Sequence, residues 1–222
     1  MSLRRFLRDN SLSVVLLSLF VVFIVGTSIA GWITENQDRQ EHKEVTQSYV
    51  SYVGSGDFLE AVFENWESEF LQMWALVILT IYLRQKGSED SKPLRGKTPQ
   101  DALAKHQLRH AKDNAQRRRA IKYFLYSHSL GLALLLLFIV SFSLHAIGGS
   151  IAHNEDAVRH NEPTVSVAEY VVSSQFWFES LQNWQSEFLS VGVLMLLSIK
   201  LRERGSPQSK PVGSKFDHHT GS

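Results

Sequence analysis

The sequence has no cysteine, only five prolines in 222 residues, and a formal net charge of +1. Without cysteine the chain forms no disulfide, no thiolate zinc site and no cysteine nucleophile. A net charge near zero gives no overall field that favours nucleic acid. No phosphate-binding loop, dinucleotide fingerprint, zinc-protease helix or serine-nucleophile elbow is found either. We therefore expect a protein that is not an enzyme and needs no cofactor.

Two long apolar blocks are present instead, at residues 12–33 and 130–151. Each is about long enough to cross a ~30 Å hydrocarbon layer as a helix. The first block follows Arg4, Arg5 and Arg8, as a secretory signal would, but it exceeds the roughly 7 to 15 apolar residues of such signals. The same design also recurs in mid-chain, where no cleavage signal operates. Both blocks are therefore predicted to be retained transmembrane helices.

The strongest signal is an internal repeat. Residues 65–71, Asn-Trp-Glu-Ser-Glu-Phe-Leu, return 118 positions later as 183–189 with one change, Glu67 to Gln185. Without a gap, about two in five positions match between residues 6–94 and 124–212, where composition alone would give about one in fifteen. We interpret the chain as two tandem copies of one unit, called here the first and second repeats.

Each repeat also contains a second, shorter apolar stretch. In the first repeat it covers residues 70–83, which as a helix is ~21 Å long and too short to cross the bilayer. We expect this helix to extend backwards to about Phe58, with Trp66 in the interfacial aromatic belt and Trp184 as its counterpart. The wetter face of the extension is predicted to carry Glu60, Glu64 and Glu67.

These patterns predict an all-α fold, a four-helix transmembrane bundle built from two tandem two-helix repeats. Residues 1–97 form the first repeat, 98–122 a basic connector, 123–213 the second repeat and 214–222 a polar tail. Basic residues crowd both termini and the connector, so the positive-inside rule places all three in the cytoplasm. Small residues at helical spacing are expected to permit close helix contacts: Thr27 with Gly31, and Ala146 with Ser150.

Polar residues where the second and fourth spans enter the membrane form the main candidate site. Asn65, Glu69 and Gln72 share one helical face, and Asn183 and Glu187 are their counterparts. A carboxylate at this depth is expected to point into the bundle or to water. Two interpretations stay open: a structural polar network that clamps the repeats together, and a ligand, ion or proton site.

The outer loops carry weaker candidates. Asp38 and His42 recur as Asp156 and His160, and a two-fold axis could bring these four metal-ligand types together. Their spacing fits no established metal motif, so no metal site is predicted and a solvated loop is the favoured alternative. His145, in the third span, is either functional or a ring that reaches water or a neighbouring carbonyl near the outer boundary.

The connector is predicted to contain a polar helix that starts near Thr98, where Thr-Pro-Gln-Asp has the pattern of a helix N-terminus. Arg117, Arg118, Arg119 and Lys122 then form a basic cluster. The cluster either binds anionic lipid headgroups, at about 1 kcal/mol per charge, or only sets topology. The motif Gly-Ser-x-x-Ser-Lys-Pro closes both repeats and is expected to end the second and fourth helices.

Three runs carry a family resemblance: residues 63–72, Phe-Glu-Asn-Trp-Glu-Ser-Glu-Phe-Leu-Gln, residues 83–88, Leu-Arg-Gln-Lys-Gly-Ser, and residues 91–93, Ser-Lys-Pro. They resemble an uncharacterised prokaryotic membrane-protein family catalogued as a domain of unknown function. The likeness extends over both repeats and excludes the connector. It implies a location in the prokaryotic plasma membrane and nothing about mechanism.

Three functions are compatible with these observations. The leading hypothesis is a non-enzymatic structural or interaction component of the cell envelope, in contact with the lipid bilayer. The alternative is a small-solute or ion transporter or channel, with Glu69 and Glu187 lining a polar site at the repeat interface. A metal-dependent membrane enzyme that uses the outer-loop residues is the third.

Overall fold

The computed structural model describes residues 3–88, 90–96, 98 and 114–213, with the side chains of 114–120 left out of that description. Within these ranges the protein is all-α and contains no strand. Its eight described helices are α1 (Leu3–Asp9), α2 (Ser11–Glu41), α3 (Tyr49–Val53), α4 (Gly56–Tyr82), α5 (Asn114–Ser127), α6 (Ser129–Arg159), α7 (Val167–Val171) and α8 (Ser174–Lys200).

The two predicted apolar spans lie inside α2 and α6. Each helix has 31 residues, and each is long and apolar enough to cross a membrane. Both continue beyond the apolar part into a polar segment, and two residues after each helix ends lies a residue in the left-handed region, Lys43 with φ 62° and Asn161 with φ 56°. These two residues are separated by the same 118 positions as the sequence repeat.

The helices α4 and α8, which contain the second apolar stretch of each repeat, extend backwards as the sequence predicts. α4 begins at Gly56, two residues before Phe58, and α8 has the same length of 27 residues. Both helices start on a serine cap, because the backbone N–H of Phe58 donates to Ser55 Oγ at 3.3 Å and that of Phe176 donates to Ser173 Oγ at 3.2 Å. Each helix is therefore ~40 Å long, well beyond its continuous apolar part.

The repeated motif at the end of α4 and α8 forms the same turn twice. The backbone N–H of Gln85 donates to Ser91 Oγ at 2.8 Å, and that of Glu203 donates to Ser209 Oγ at 2.9 Å. Gly87 and Gly205 have φ of 86° and 84°, which a residue with a side chain rarely adopts. The motif follows directly on the ends of the two helices, as predicted.

By its contacts the chain divides into two compact units. Unit 1 is Met1–Val62 with Leu144–Tyr170, and unit 2 is Phe63–Ser143 with Val171–Ser222. Each unit draws on both sequence repeats. The helices α4 and α6 each contribute to both units.

Unit 1 contains backbone contacts that only small residues permit. A Cβ on Gly148 would lie 2.7 Å from the backbone nitrogen of Glu60, and one on Gly56 would lie 2.5 Å from that of Ala152. These pairs bring α4 and α6 together. The predicted contact residues Ala146 and Ser150 are buried nearby on α6.

Two tyrosines occupy matching places beside glycines in unit 1. A Cβ on Gly31 would lie 2.0 Å from the Tyr52 hydroxyl, and one on Gly149 would lie 2.6 Å from the Tyr170 hydroxyl. Gly31 is therefore a contact position, as predicted. Thr27 is not, because it is exposed and the neighbouring Ser28 is buried instead.

Candidate functional site

The predicted polar residues of the second and fourth spans lie on α4 and α8, within unit 2. Asn65 and Glu69 are exposed, whereas Gln72, Asn183 and Glu187 are half-buried. The Glu69 carboxylate lies close enough to that of Glu187 for an electrostatic interaction. The structure thus brings these two predicted residues near one another.

Hydrogen bonds between α4 and α8 use two glutamates that the sequence analysis left out of the site. Asn183 Nδ2 donates to Glu64 Oε1 at 2.6 Å, and Trp184 Nε1 donates to Glu67 Oε1 at 3.1 Å. Glu67 has no exposed surface, so its predicted position on the wetter face is wrong. Burial of this carboxylate is tolerable because the indole N–H of Trp184 supplies a hydrogen bond.

The two tryptophans predicted for the interfacial belt have different surroundings. Trp66 stacks edge-on against Phe63 of its own helix, with ring centroids 5.2 Å apart. Trp184 contacts Phe138 of α6 at 6.4 Å and Trp177 at 6.0 Å, both edge-on, in addition to its bond with Glu67. Trp184 is therefore part of a helix interface within unit 2.

Asparagines near the ends of α2 and α6 hold the loops that follow against these helices. The side chain of Asn36 bonds both backbone groups of Gln47, at 2.7 and 3.0 Å, and Asn154 does the same with Val165, at 2.7 and 2.8 Å. Each asparagine thereby replaces a backbone partner and fixes the loop to its helix. This role accounts for the recurrence of asparagine at these positions.

The histidines of the outer loops make local contacts. His42 Nδ1 lies 2.9 Å from the backbone oxygen of Asp38, and His160 Nδ1 lies 3.0 Å from that of Asp156. The respective carboxylates are 3.6 and 3.4 Å from the same ring nitrogens. In the described contacts each histidine thus ends its own helix, and the four residues are not joined across the repeats.

His42 is an exposed titratable group with a defined environment. The Asp38 carbonyl that meets its ring, and then the Asp38 carboxylate, raise the pKa of His42 above its ordinary value. Glu44 and Glu41 add smaller effects in the same direction. The charged imidazole is favoured here because it lies at a helix C-terminus among acidic groups.

Unit 1 also contains an ion-pair network that the sequence analysis missed. Arg39 Nε lies 2.7 Å from Glu35 Oε1, and Arg159 Nη2 lies 3.3 Å from the same oxygen. Glu44 Oε2 is within 3.7 Å of Arg39 and 3.6 Å of Arg159. The network joins α2 to α6. The sequence did contain a signal for this network, because Arg39 departs from the repeat. The second repeat has Ala157 at the equivalent position.

The network borders an open groove of about 510 Å³ in unit 1, lined by Arg39, Ile151, Asn154, Glu155, Val158, Arg159 and Thr164. Burial alone would lower the pKa of Arg159, but the Glu44 and Glu35 carboxylates outweigh burial and raise it. The guanidinium groups at the groove are therefore held in place by carboxylates. A structural tie between two helices is the chemistry that this arrangement supports most directly.

His145 lies in a polar cluster of unit 1. Its side chain is fully buried, so of the two partners expected for its ring, water or a neighbouring carbonyl, bulk water is excluded. A ring nitrogen of His145 lies within 4.8 Å of a carboxylate oxygen of Glu60. Glu60 Oε1 accepts a hydrogen bond of 2.9 Å from the hydroxyl of Tyr170, which is itself buried.

Part of the predicted connector lies outside the described residues. Of the Thr-Pro-Gln-Asp run, only Thr98 is described. The backbone of Arg117, Arg118 and Arg119 belongs to α5, whereas their side chains are outside the description. Lys122, one turn later on α5, is exposed.

Comparison with known proteins identifies a family. A family model described as Domain of unknown function (DUF6766) matches residues 3–222, so the prediction that the likeness excludes the connector is wrong. No curated protein and no solved structure matches the chain.

Proposed function

The chain belongs to the DUF6766 family, whose description assigns no activity, and from its own residues we propose that it is a multi-pass integral membrane protein. In this proposal α2, α4, α6 and α8 cross the plasma membrane of a prokaryotic cell as a four-helix bundle. The protein acts there as a non-enzymatic structural or interaction component of the cell envelope.

The exposure of α2 and α6 is the observation that carries this proposal. Only 6% of the most apolar window of α2 and 17% of that of α6 is buried inside the protein. A core helix of a soluble protein would be mostly buried, and exposed apolar patches of this extent are rare on soluble monomers. Because α6 begins at Ser129, it is not an N-terminal signal either. Lipid is the solvent that suits such surfaces.

The other two crossings follow from α4 and α8. At ~40 Å, each helix exceeds the ~30 Å hydrocarbon layer and places its serine-capped start outside it. At the opposite end lie Arg84 and Arg202, whose guanidinium groups donate to backbone carbonyls of the last turn of α4 and of α8 respectively. A basic exit of this kind supports the cytoplasmic placement of the connector and both termini.

Matching hydrogen bonds support the proposed tandem duplication. The Asn36 and Asn154 loop bonds, the Ser55 and Ser173 caps and the paired exit turns all recur at the 118-residue spacing. Gene duplication gives the same local solution twice because the same side chains face the same backbone groups. Two copies that each cross twice have the same orientation in the membrane.

The contacts between α4 and α8 support the structural role. Glu64 with Asn183 and Glu67 with Trp184 join the two repeats through hydrogen bonds, as a clamp between membrane helices would. Basic residues of α5, Lys122 among them, are proposed to meet anionic lipid headgroups on the cytoplasmic side.

An ion or solute transporter is the second candidate, and the clustering of carboxylates favours it. Glu64, Glu67, Glu69 and Glu187 lie on α4 and α8 of unit 2, and the last two interact electrostatically. Acidic groups on helices that cross a membrane commonly mark cation or proton pathways.

The topology is tested by labelling single cysteines, which the cysteine-free chain permits without background. Thr46→Cys and Thr164→Cys should react with a membrane-impermeant maleimide on intact cells. Gln208→Cys should react only after the cells are lysed. Equal labelling of all three positions on intact cells, or release of the protein into the soluble fraction without detergent, would overturn the proposal.

Flux through purified protein in proteoliposomes separates the two candidate roles. The structural role predicts no cation or proton flux above that of empty vesicles. The transporter role predicts a flux that the double variant Glu69→Gln, Glu187→Gln abolishes while the protein keeps its fold. Glu41→Gln, a change at an exposed outer position, is the matched control.

A further inference from the structure

Five aromatic side chains of unit 2 form a closed circuit between α6 and α8. Going round it, ring centroids are 5.8 Å apart for Phe138 and Phe142, 5.2 Å for Phe142 and Phe176, and 5.9 Å for Phe176 and Trp177. Trp177 lies 6.0 Å from Trp184, which returns to Phe138 at 6.4 Å. We call these five residues the aromatic box.

Ser180 lies on the same face of α8 as Phe176 and Trp184, four residues from each. Its side chain has no exposed surface, and its hydroxyl has no hydrogen-bond partner among the described residues. Serines further along α8 behave differently, because Ser186 and Ser190 donate to backbone carbonyls three residues earlier at 2.8 Å. A buried hydroxyl that leaves its own backbone unbonded is costly unless another molecule completes the bond.

A carboxyl group borders the box. Glu67 of α4 is completely buried, and its carboxylate accepts a hydrogen bond from Trp184, one of the five aromatic residues. The box thus combines aromatic faces, a buried hydroxyl and a carboxylate within one unit. Within the box, Trp177 is 40% exposed, whereas Phe176 is fully buried.

The sequence repeat supplies an internal control. At the positions equivalent to Phe142, Trp177 and Ser180, the first repeat has Ile24, Leu59 and Val62. At the position equivalent to Glu67, the second repeat has Gln185. Only Phe138, Phe176 and Trp184 have an aromatic residue at both positions. The polar groups of the box and two of its aromatic rings therefore occur in one repeat only. If these side chains served packing alone, the residues at the equivalent positions of the other repeat would serve as well.

From this combination we propose that the aromatic box is a binding site for an organic ammonium ion that carries an apolar group and at least one N–H. Aromatic faces, tryptophan above all, attract a cation through the ring quadrupole. The Glu67 carboxylate neutralises the charge of the bound ion. The N–H of the ion donates to the unpartnered hydroxyl of Ser180.

Two sources have this chemistry, an amine-headed lipid and a free amphiphilic amine. Both present a charged nitrogen with N–H groups next to an apolar body. They differ in whether they stay with the protein, since a lipid with its acyl chains is carried through purification and a free amine is not.

Calorimetry on the purified protein in neutral detergent tests the site with three probes. Dimethylbenzylammonium, which has one N–H, should bind more tightly than benzyltrimethylammonium, which has none. Neutral benzyl alcohol should not bind measurably. Equal heats from all three probes, or none from any of them after delipidation, would overturn the proposal.

Variants that install the residues of the other copy identify the contributing groups. Glu67→Gln and Trp177→Leu should each weaken dimethylbenzylammonium binding at least tenfold. Ser180→Val should abolish the preference for the probe with N–H. Trp66→Phe, the equivalent of a box position in the other copy, is the control and should leave affinity unchanged. Affinities that Trp177→Leu and Ser180→Val leave unaltered in folded protein would refute the site.

Mass spectrometry of the protein released gently from detergent separates the two sources. Retained phosphatidylethanolamine that Glu67→Gln loses identifies a lipid headgroup as the occupant. Probe binding without any retained amine-headed lipid identifies a free amine. Because all these measurements use detergent, they remain valid if the topology proposed above fails.

Discussion

The loop between α2 and α3 and the loop between α6 and α7 share their backbone contacts and differ in their charged contacts. Asn36 and Asn154 hold the two loops through the same pair of hydrogen bonds. The ion pairs that follow differ, because Arg39 has no basic counterpart and Arg159 stands where the first copy has Glu41. The asparagines that hold these loops are thus the same in both repeats, whereas the charged residues that join α2 to α6 differ between them.

A close approach of one helix backbone to another in unit 1 gives the largest expected effect on this comparison. Gly148 meets the backbone of α4, whereas its counterpart is Ala30. Gly148→Ala should lower the free energy of unfolding by about 1–3 kcal/mol, because the opposing backbone cannot move aside as a side chain would. Unfolding in a titration with dodecyl sulfate measures the change.

Gly26→Ala is the control for that substitution. Nothing lies within 4 Å of a Cβ at this position, and α2 is helical there. Alanine should therefore be neutral or stabilise the protein by up to about 1 kcal/mol through helix propensity. If both glycines tolerate alanine equally, the close approach of α4 and α6 is not a constraint on the fold.

The ion-pair network is the next difference to test. Arg159→Ala leaves Glu35 and Glu44 with Arg39 alone and should cost about 1–2 kcal/mol, discounted because Arg159 is 26% exposed. Glu41→Ala, at the equivalent place in the first copy, should change stability by less than about 0.5 kcal/mol. Thermal unfolding measures both changes. We expect a salt-dependent loss of stability in Arg159→Ala and none in Glu41→Ala.

A smaller difference concerns the short helices after the loops. Glu169 accepts hydrogen bonds of 2.7 Å from the backbone N–H and the hydroxyl of Ser166, and the first copy has Ser51 at that position. These bonds, the backbone one first, lower the pKa of Glu169. The carboxylate therefore stabilises α7 above its unfolded pKa and ceases to do so as pH falls through the lowered value.

Exchanging the residue between copies tests that cap. Glu169→Gln should speed amide hydrogen exchange in α7, and Ser51→Glu should slow exchange in α3 by building the same capping box. Acid should remove the protection in α7 and leave α3 of the unaltered protein unchanged. Equal acid sensitivity of the two helices would show that the cap does not depend on Glu169.

The smallest effect is expected at His42. Its pKa is raised chiefly by the Asp38 carbonyl and then by the Asp38 carboxylate, so its stabilising charge is complete below the ordinary pKa and is lost as pH rises through the raised value. Asp38→Asn should lower the His42 titration midpoint only in part, since the carbonyl contact survives. Histidine NMR resonances report the midpoint. A complete return to the ordinary value would assign the whole effect to the carboxylate.

Much of the helical framework could be predicted from the sequence, because long apolar runs are local signals. The extension of α4 back to about Phe58 was predicted because its apolar part is too short to cross the bilayer. Glu67 was misplaced since its bond to Trp184 depends on how α4 and α8 are rotated, which periodicity in one helix does not determine. The network around Arg159 was missed for a related reason, as its members are distant in sequence.

The bond between Glu67 and Trp184 has a consequence for how the protein can be made. Its acceptor belongs to residues 6–94 and its donor to residues 124–212, so a polypeptide that carries either half alone lacks one side of the bond. Two copies of the second half could not rebuild it with the same chemistry, because Gln185 stands at the position of Glu67, whereas two copies of the first half would offer Glu67 and Trp66, the counterpart of Trp184. Split expression that restores the native pairing therefore requires both fragments in the same cell, and a homodimer of the second half cannot replace it.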